Sequence, residues 1–308
     1  MTRPFRFGIK LRNAVSAKAW TDQARKAEDL GYSTLFLADH FTDSWNPTVP
    51  LTMAASVTTT LRVGALVYDN DYRHPLVLAR DVAAMDLLSE GRVEFGIVAG
   101  WKTSDYAESG IALDRAGVRI GRMAEAIEVM RRLWTDDAVT FEGEHYRLDG
   151  AQCHPKPFTP GGPPLMIGGG GKRVLTIAAK HASIVGVNPD LSSGAAGAES
   201  AKTALADRYL ERIGWIRDAA GDRFDEIELQ VQTQIEQVHP DRRAFAEQMA
   251  PLVGLSPADA LEMPIVLVGT IDEMCEDLIA RRERYGFSYT VVHDMDAFAP
   301  LVERLAGK

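Results

Sequence analysis

Short apolar runs alternate with longer amphipathic stretches along most of this chain. Residues 5–11 read as a strand, and residues 16–30 as a helix with Ser16 as its N-cap and Gly31 just past its end. Residues 34–38 form a wholly apolar run after Thr34, read as a buried strand that ends at Asp39-His40. The unit then repeats. A helix is predicted over 50–59, a strand over 61–67, and a helix over 75–88 that starts on Pro75 and stops before Gly91. A strand over 92–98 ends in Ala99-Gly100-Trp101, and a long helix covers 117–134. On that helix Met123, Ile127, Met130 and Trp134 recur at helical spacing, as a core-facing stripe does.

Residues 136–164 break the rhythm. Residues 139–148 read as a small hairpin, followed by Pro155, Pro157, Pro160, Pro163 and Pro164. The segment is read as an insertion before the fifth strand. Strand, helix and strand resume over 165–168, 172–181 and 183–187. A flexible loop is expected over 192–198, a helix over about 200–220 and a strand over 228–238. Residues 242–286 are mostly helical, interrupted at 264–269. A last strand over 289–293 precedes a short helix. Eight strand–helix units predict a parallel sheet with crossover helices, and at this length a closed (β/α)8 TIM barrel forming a single domain over 1–308. An open Rossmann sheet fits less well, because no GxGxxG follows the first strand.

Composition narrows the function. The 308 residues are 46% hydrophobic and 25% charged, an ordinary globular balance. The 34 basic and 43 acidic residues give a net charge of -9, which disfavours nucleic-acid binding but leaves room for a phosphate held by local backbone dipoles. No stretch approaches the about 18 apolar residues needed to cross a bilayer, and no apolar leader follows Met1. Cys153 and Cys275 form no CxxC pair. Together these predict a cytoplasmic protein with ordinary thiols, acting on a small molecule without a membrane or nucleic-acid partner. The seven histidines show no HxH or HxxxH pairing, so no metal is expected, and no GxSxG elbow supports an esterase.

In a barrel the chemistry sits at the C-terminal ends of the strands. Those ends are Asn13, Asp39-His40, Tyr68-Asp69, Ala99-Gly100-Trp101, Gly168 to Gly171, Asn188 and His293-Asp294. His40 stands beside a carboxylate at an early strand end. Imidazole titrates near neutrality and can carry a proton to a reacting group; a histidine satisfied by a local hydrogen bond is the other reading. Gly168, Gly169, Gly170, Gly171 and Lys172 lead into a helix, an arrangement that brings backbone N–H groups and a positive dipole end to an anion; a flexible turn is the alternative. Trp45, Tyr68 and Trp101 could wall a pocket for a planar ring, or each could anchor a loop.

Several segments, taken in order, carry a family resemblance: Ala27-Glu28-Asp29-Leu30-Gly31-Tyr32, Leu37-Ala38-Asp39-His40-Phe41, Arg73-His74-Pro75, Leu88-Ser89-Glu90-Gly91-Arg92, Gly96-Ile97-Val98-Ala99-Gly100-Trp101, Gly168-Gly169-Gly170 and Leu267-Val268-Gly269-Thr270. The sequence resembles the bacterial luciferase-like superfamily and, within it, the coenzyme F420-dependent group, over nearly the whole chain. The resemblance implies a barrel with F420, or alternatively FMN, at the strand C-termini. It implies that Asp39 binds near the ring system and His40 approaches its reactive face. A non-proline cis peptide in the third strand is implied at about Ala65-Leu66, packed behind the ring, and the glycine run with Lys172 matches the family's phosphate contact. A homodimer is implied as well. The resemblance allows an F420-dependent hydride-transferring oxidoreductase, an FMNH2-dependent monooxygenase, or a flavin-binding barrel without catalysis. Two departures stand out. The group's sugar-phosphate dehydrogenases carry a glutamate after the strand-four glycine, where this chain has Trp101. Their tryptophan four residues past the histidine is here Ser44, with Trp45 beside it. Glucose 6-phosphate oxidation is therefore not expected, the surroundings of the fourth strand are expected to be more apolar, and no carboxylate is evident to share acid–base work with His40.

Overall fold

The computed structural model describes residues 3–42, 44–195 and 197–308. Met1 and Thr2, ahead of the first predicted strand, Asp43, and Ala196 of the loop expected over 192–198 lie outside the described residues.

The strands are β1 (Arg6–Leu11), β2 (Thr34–Leu37), β3 (Arg62–Ala65), β4 (Tyr68–Asp69), β5 (Val93–Val98), β6 (Val139–Glu142), β7 (Arg147–Ala151), β8 (Leu165–Gly169), β9 (Ile184–Val187), β10 (Glu228–Gln232), β11 (Ile235–Val238), β12 (Val266–Gly269) and β13 (Phe287–Val292). The helices are α1 (Ala17–Asp29), α2 (Thr48–Ser56), α3 (Pro75–Leu88), α4 (Thr103–Ser109), α5 (Ala116–Thr135), α6 (Lys172–His181), α7 (Ala198–Lys202), α8 (Ala206–Ala220), α9 (Arg242–Met249), α10 (Pro257–Glu262), α11 (Ile271–Tyr285) and α12 (Met295–Leu305). Nine strands hydrogen-bond in the order β3-β2-β1-β13-β10-β9-β8-β5-β4, and β3 also pairs with β5. The fold is the (β/α)8 TIM barrel.

The chain divides into two compact units: Met1–Lys10, Asp29–Ser33 and Ile167–Lys308; and Leu11–Glu28 with Thr34–Met166. In the first unit β1 lies parallel to β13, with Phe7 opposite Thr290. Arg6 forks onto Glu228 with its guanidinium over the Tyr289 ring, at 3.8 Å from the ring centre. The strand predicted over 228–238 is two strands. After β10, Thr233 N–H still donates to Val291, but the next N–H groups, of Gln234 and Ile235, turn to Ile265. The ladder changes partner there, and β11 pairs with β12 outside the main sheet.

In the second unit β2 pairs with β3, and both β3 and β4 pair with β5. The strand predicted over 61–67 is broken between β3 and β4. The implied cis peptide lies at Leu66–Val67, one residue beyond the expected Ala65-Leu66. Between that bond and α3, residues Asn70–Tyr72 form a 3-10 turn. The predicted helices over 75–88 and 172–181 match α3 and α6. Met123, Ile127, Met130 and Trp134 of α5 are all buried; Trp134 meets Phe95 edge-on and donates its indole N–H to Ala79 at 3.0 Å. Residues 139–151 form the antiparallel β6–β7 hairpin. Among the described residues no helix is long and apolar enough to cross a membrane.

One segment of the resemblance has a structural explanation inside this unit. Glu28 Oε1 accepts the backbone N–H groups of Thr59, Thr60 and Leu61 at 2.8, 2.5 and 2.8 Å. Partial burial raises its pKa, but these bonds outweigh it and hold the carboxyl down at about 2. The glutamate ties the end of α1 to the entry of β3.

Candidate active site

The second unit gathers polar side chains at the ends of its strands. Past the end of β2, the His40 ring keeps its side chain 28% exposed. Its Nδ1 stands 2.6 Å from Asp105 Oδ2. Asp105 comes from α4, a seven-residue helix between the predicted strand over 92–98 and the predicted helix over 117–134, where no element was expected, and it is fully buried. Lys102 Nζ lies 3.0 Å from its other oxygen, and the Tyr72 hydroxyl donates to Oδ2 at 3.1 Å. Burial alone would raise the Asp105 pKa; the bonds from His40, Lys102 and Tyr72 overcome it and hold the pKa below the usual carboxylate value. The expected absence of a carboxylate partner is thereby corrected, as is the expected apolar character near the fourth strand. A buried anion, a lysine and a tyrosine hydroxyl stand there instead.

The signal for α4 was present. Gly110 adopts a left-handed conformation and closes the helix, as a glycine just past a helix end does. What no pattern showed is that this short helix delivers its third residue to His40. Its seat is set by Gly100, which has a φ of +77° and lies so close to α4 that a Cβ there would stand 1.7 Å from the Tyr106 hydroxyl.

Asp39, expected near the cofactor ring, is tied into the protein. It is buried, and Arg73 forks onto both its oxygens at 2.5 and 2.9 Å while Asp69 N–H donates to Oδ2 at 3.1 Å. The carboxylate is committed within the protein, bracing the ends of β2 and β4. Of the three expected wall aromatics, Trp101 meets His40 edge-on with ring centres 5.8 Å apart. Trp45 packs instead against Trp20 at 5.5 Å. Tyr68 is wholly buried, its hydroxyl 3.0 Å from Thr48 Oγ1 and Arg73 over its ring, so it supports the floor and presents no open wall. Phe41, half exposed, lies against Tyr72 with ring centres 4.5 Å apart, a contact that the sequence reading passed over.

A second tier of carboxyl and phenol groups lies behind His40. Asp69 is buried, with Asp71 and Asp39 as acidic neighbours. Burial, then those two carboxylates, push its pKa up to about 7. Tyr106 donates to Asp71 Oδ2 at 3.0 Å and lies 3.5 Å from both Asp69 oxygens. Arg122 closes the row on Asp71 at 2.8 Å.

The glycine run belongs to the first unit. Gly168 and Gly169 end β8, and Gly171 precedes α6, whose N-terminus has no side-chain cap. A Cβ at Gly169 would collide with Val174, and one at Gly170 with the Pro189 carbonyl, so close backbone approach requires both glycines. A Cβ at Gly171 would meet nothing, and Lys172 is exposed beside it. The run is thus an ordered turn with open backbone at a helix N-terminus, which suits an anion. In the same unit His293 stands 3.4 Å from Glu236 and 2.9 Å from Gln232. Among the described residues Glu125, Glu144 and His145 also cluster, but Glu125 already receives the N–H groups of residues 144–146.

A family model described as luciferase-like monooxygenase matches residues 2–288. An F420-dependent glucose-6-phosphate dehydrogenase from Amycolatopsis mediterranei (strain U-32) is 32% identical over 172 residues, 52% of this chain and 50% of that protein. The chain spans about half the length of this dehydrogenase and of a second one from Intrasporangium calvum. A 5,10-methylenetetrahydromethanopterin reductase from Archaeoglobus fulgidus is 29% identical over 257 residues, 83% of this chain and 73% of that protein. Among solved structures, the coenzyme F420-dependent tetrahydromethanopterin reductase from Methanopyrus kandleri aligns with a TM-score of 0.78 over 99% of both chains at 18% identity, a likeness of fold.

Proposed function

The chain belongs to the luciferase-like monooxygenase family, and from that premise we propose that it is an F420-dependent oxidoreductase acting on a small organic substrate. Relatives named for F420-dependent dehydrogenation and reduction support the cofactor class. The observation that carries the proposal is the His40–Asp105 pair, 2.6 Å apart, with the carboxylate fully buried and the imidazole partly open.

F420, when bound, supplies or accepts the hydride. The protein's own residues handle the proton. Asp105, held ionised, takes the Nδ1–H of His40 and so fixes the ring's tautomer and angle. Proton exchange with the substrate then runs through Nε2: the imidazole gives its proton to the oxygen of a carbonyl being reduced, or takes one from an alcohol being oxidised. Trp101 braces the ring from the side. Lys102 neutralises Asp105 and bonds to Thr42 at 2.5 Å, so its charge is spent inside the site. In the first unit, Gly168 to Gly171 with Lys172 are proposed on their own geometry as a contact for a cofactor phosphate.

The family model's description favours one second reading, an FMNH2-dependent monooxygenase on the same scaffold. The two readings part on oxygen. With a panel of neutral carbonyl and alcohol compounds, F420 should change redox state while no oxygen is consumed. Oxygen uptake with supplied FMNH2, without any F420 turnover, would replace the proposal with the monooxygenase. A barrel that binds flavin without catalysis would leave the buried Asp105 on His40 without purpose. The reading includes a homodimer, for which the molar mass in solution is the test.

A further inference from the structure

We propose that Lys102 is a positioning residue for His40: it fixes the far oxygen of the Asp105 carboxylate, and its charge keeps the imidazole from being locked as a cation. This rests on the reading of His40 as the proton-handling residue. His40 Nδ1 and Lys102 Nζ lie on opposite oxygens of one buried carboxylate, 2.6 Å from Oδ2 and 3.0 Å from Oδ1. Lys102 is the residue just ahead of α4, three positions before Asp105. Its ammonium also donates to Thr42 Oγ1 at 2.5 Å, two residues past His40. The lysine thus ties the chain after β2 to the helix that carries Asp105. Swinging the carboxylate off the imidazole would break this ion pair as well.

The same arrangement sets the charge. A buried carboxylate alone beside an imidazole draws a proton onto the ring and holds it there. The imidazolium has no lone pair left on Nε2, so it cannot take a proton from a substrate. Lys102 already compensates the anion. The ring therefore gains less by becoming a cation, and it meets a like charge across the carboxylate. His40 can then give and take a proton instead of keeping one. The Tyr72 hydroxyl adds an uncharged donor to Oδ2 at 3.1 Å. Burial, followed by the charges of Asp69 and Asp105, pushes the Tyr72 pKa upward, so the phenol remains a donor. Among the described residues, the other charged groups on the surrounding elements have partners of their own. Asp39 after β2 pairs with Arg73, and Asp71 of the Asn70–Tyr72 turn pairs with Arg122 of α5. Arg119 of α5 donates to the Ala99 and Gly100 carbonyls, and Asp69 at the end of β4 faces Tyr106.

The test is an NMR titration of the His40 imidazole in the cofactor-free full-length protein, its resonance identified by its loss in His40→Gln. Lys102→Met keeps the length of the side chain and removes its charge. The His40 midpoint should then rise by about one unit, tenfold in proton affinity, as a unit charge across a partly exposed carboxylate implies. Lys102→Gln, also neutral but still able to donate to Asp105, should raise the midpoint likewise and serves if methionine disturbs the fold. Lys102→Arg keeps the charge and should return the midpoint most of the way to wild type. An unchanged midpoint in both neutral variants would overturn the proposal. So would a fall, which would mean that the carboxylate had swung off the ring. An equal rise in Lys102→Met and Lys102→Arg would trace the effect to packing and would overturn the role of charge. The readout needs neither F420 nor substrate. A raised midpoint in a protein that turns over nothing with F420 would sink the functional reading and leave this inference standing.

Discussion

At the scale of the residue, the site is a division of labour among acids. Asp39, adjacent to His40 in sequence, is consumed by Arg73; Asp105, sixty-five positions away, partners the imidazole. Asp105→Asn should keep the shape but remove the charge that stabilises the imidazolium. Turnover with any accepted substrate should fall by about 10²–10⁴-fold. The sign of the pH effect is fixed: without the anion His40 binds its proton less tightly, so its inflection in the pH–rate profile should move to lower pH. An unchanged profile would mean that the pair is structural. His40 was legible because a strand end in a barrel marks active positions. Asp105 was not, since no local spacing encodes where a seven-residue helix packs. Tyr68 misled for a related reason: its place at a strand end was right, but burial against Thr48 and Arg73 removes it from the surface.

At the scale of the element, the predictions concern how strands and helices are tied together. Gly100 seats α4 against the end of β5. Gly100→Ala forces a left-handed residue to carry a Cβ into the Tyr106 hydroxyl. Urea unfolding should show a loss of about 1–3 kcal/mol, and turnover should fall as well, because the displaced helix also carries Asp105. Glu28 ties α1 to β3 through three backbone N–H groups. Its pKa is lowered from 4.5 to about 2, so its stabilisation is fully present above its unfolded value and is lost as pH falls through about 2. Glu28→Gln should therefore lower stability at neutral pH by about 1.5–3 kcal/mol, typical of hydrogen bonds to a charged group. In thermal melts the gap from wild type should close as pH drops from about 4.5 to 2; a gap constant with pH would show that charge is not the cause. Helices with clear ends, such as α3 between Pro75 and Ser89, were read to the residue. Strands were read less well where the ladder changes partner, as after Gln232, because hydrogen-bond partners are non-local.

At the scale of the whole molecule, eight strand–helix units were visible as apolar runs because parallel strands are buried on both faces and lose their polar alternation. β5 shows this, with five of its six residues buried, Glu94 among them. The fold was thus legible from periodicity, while the cofactor rests on the family resemblance and on relatives that share part of their length with this chain. The direct measurement is the equilibrium affinity of the purified protein for F420 and for FMN, followed by quenching of cofactor fluorescence. F420 should bind at least about tenfold more tightly than FMN, a difference of about 1.4 kcal/mol. Tight FMN binding with no measurable F420 binding would contradict the assignment.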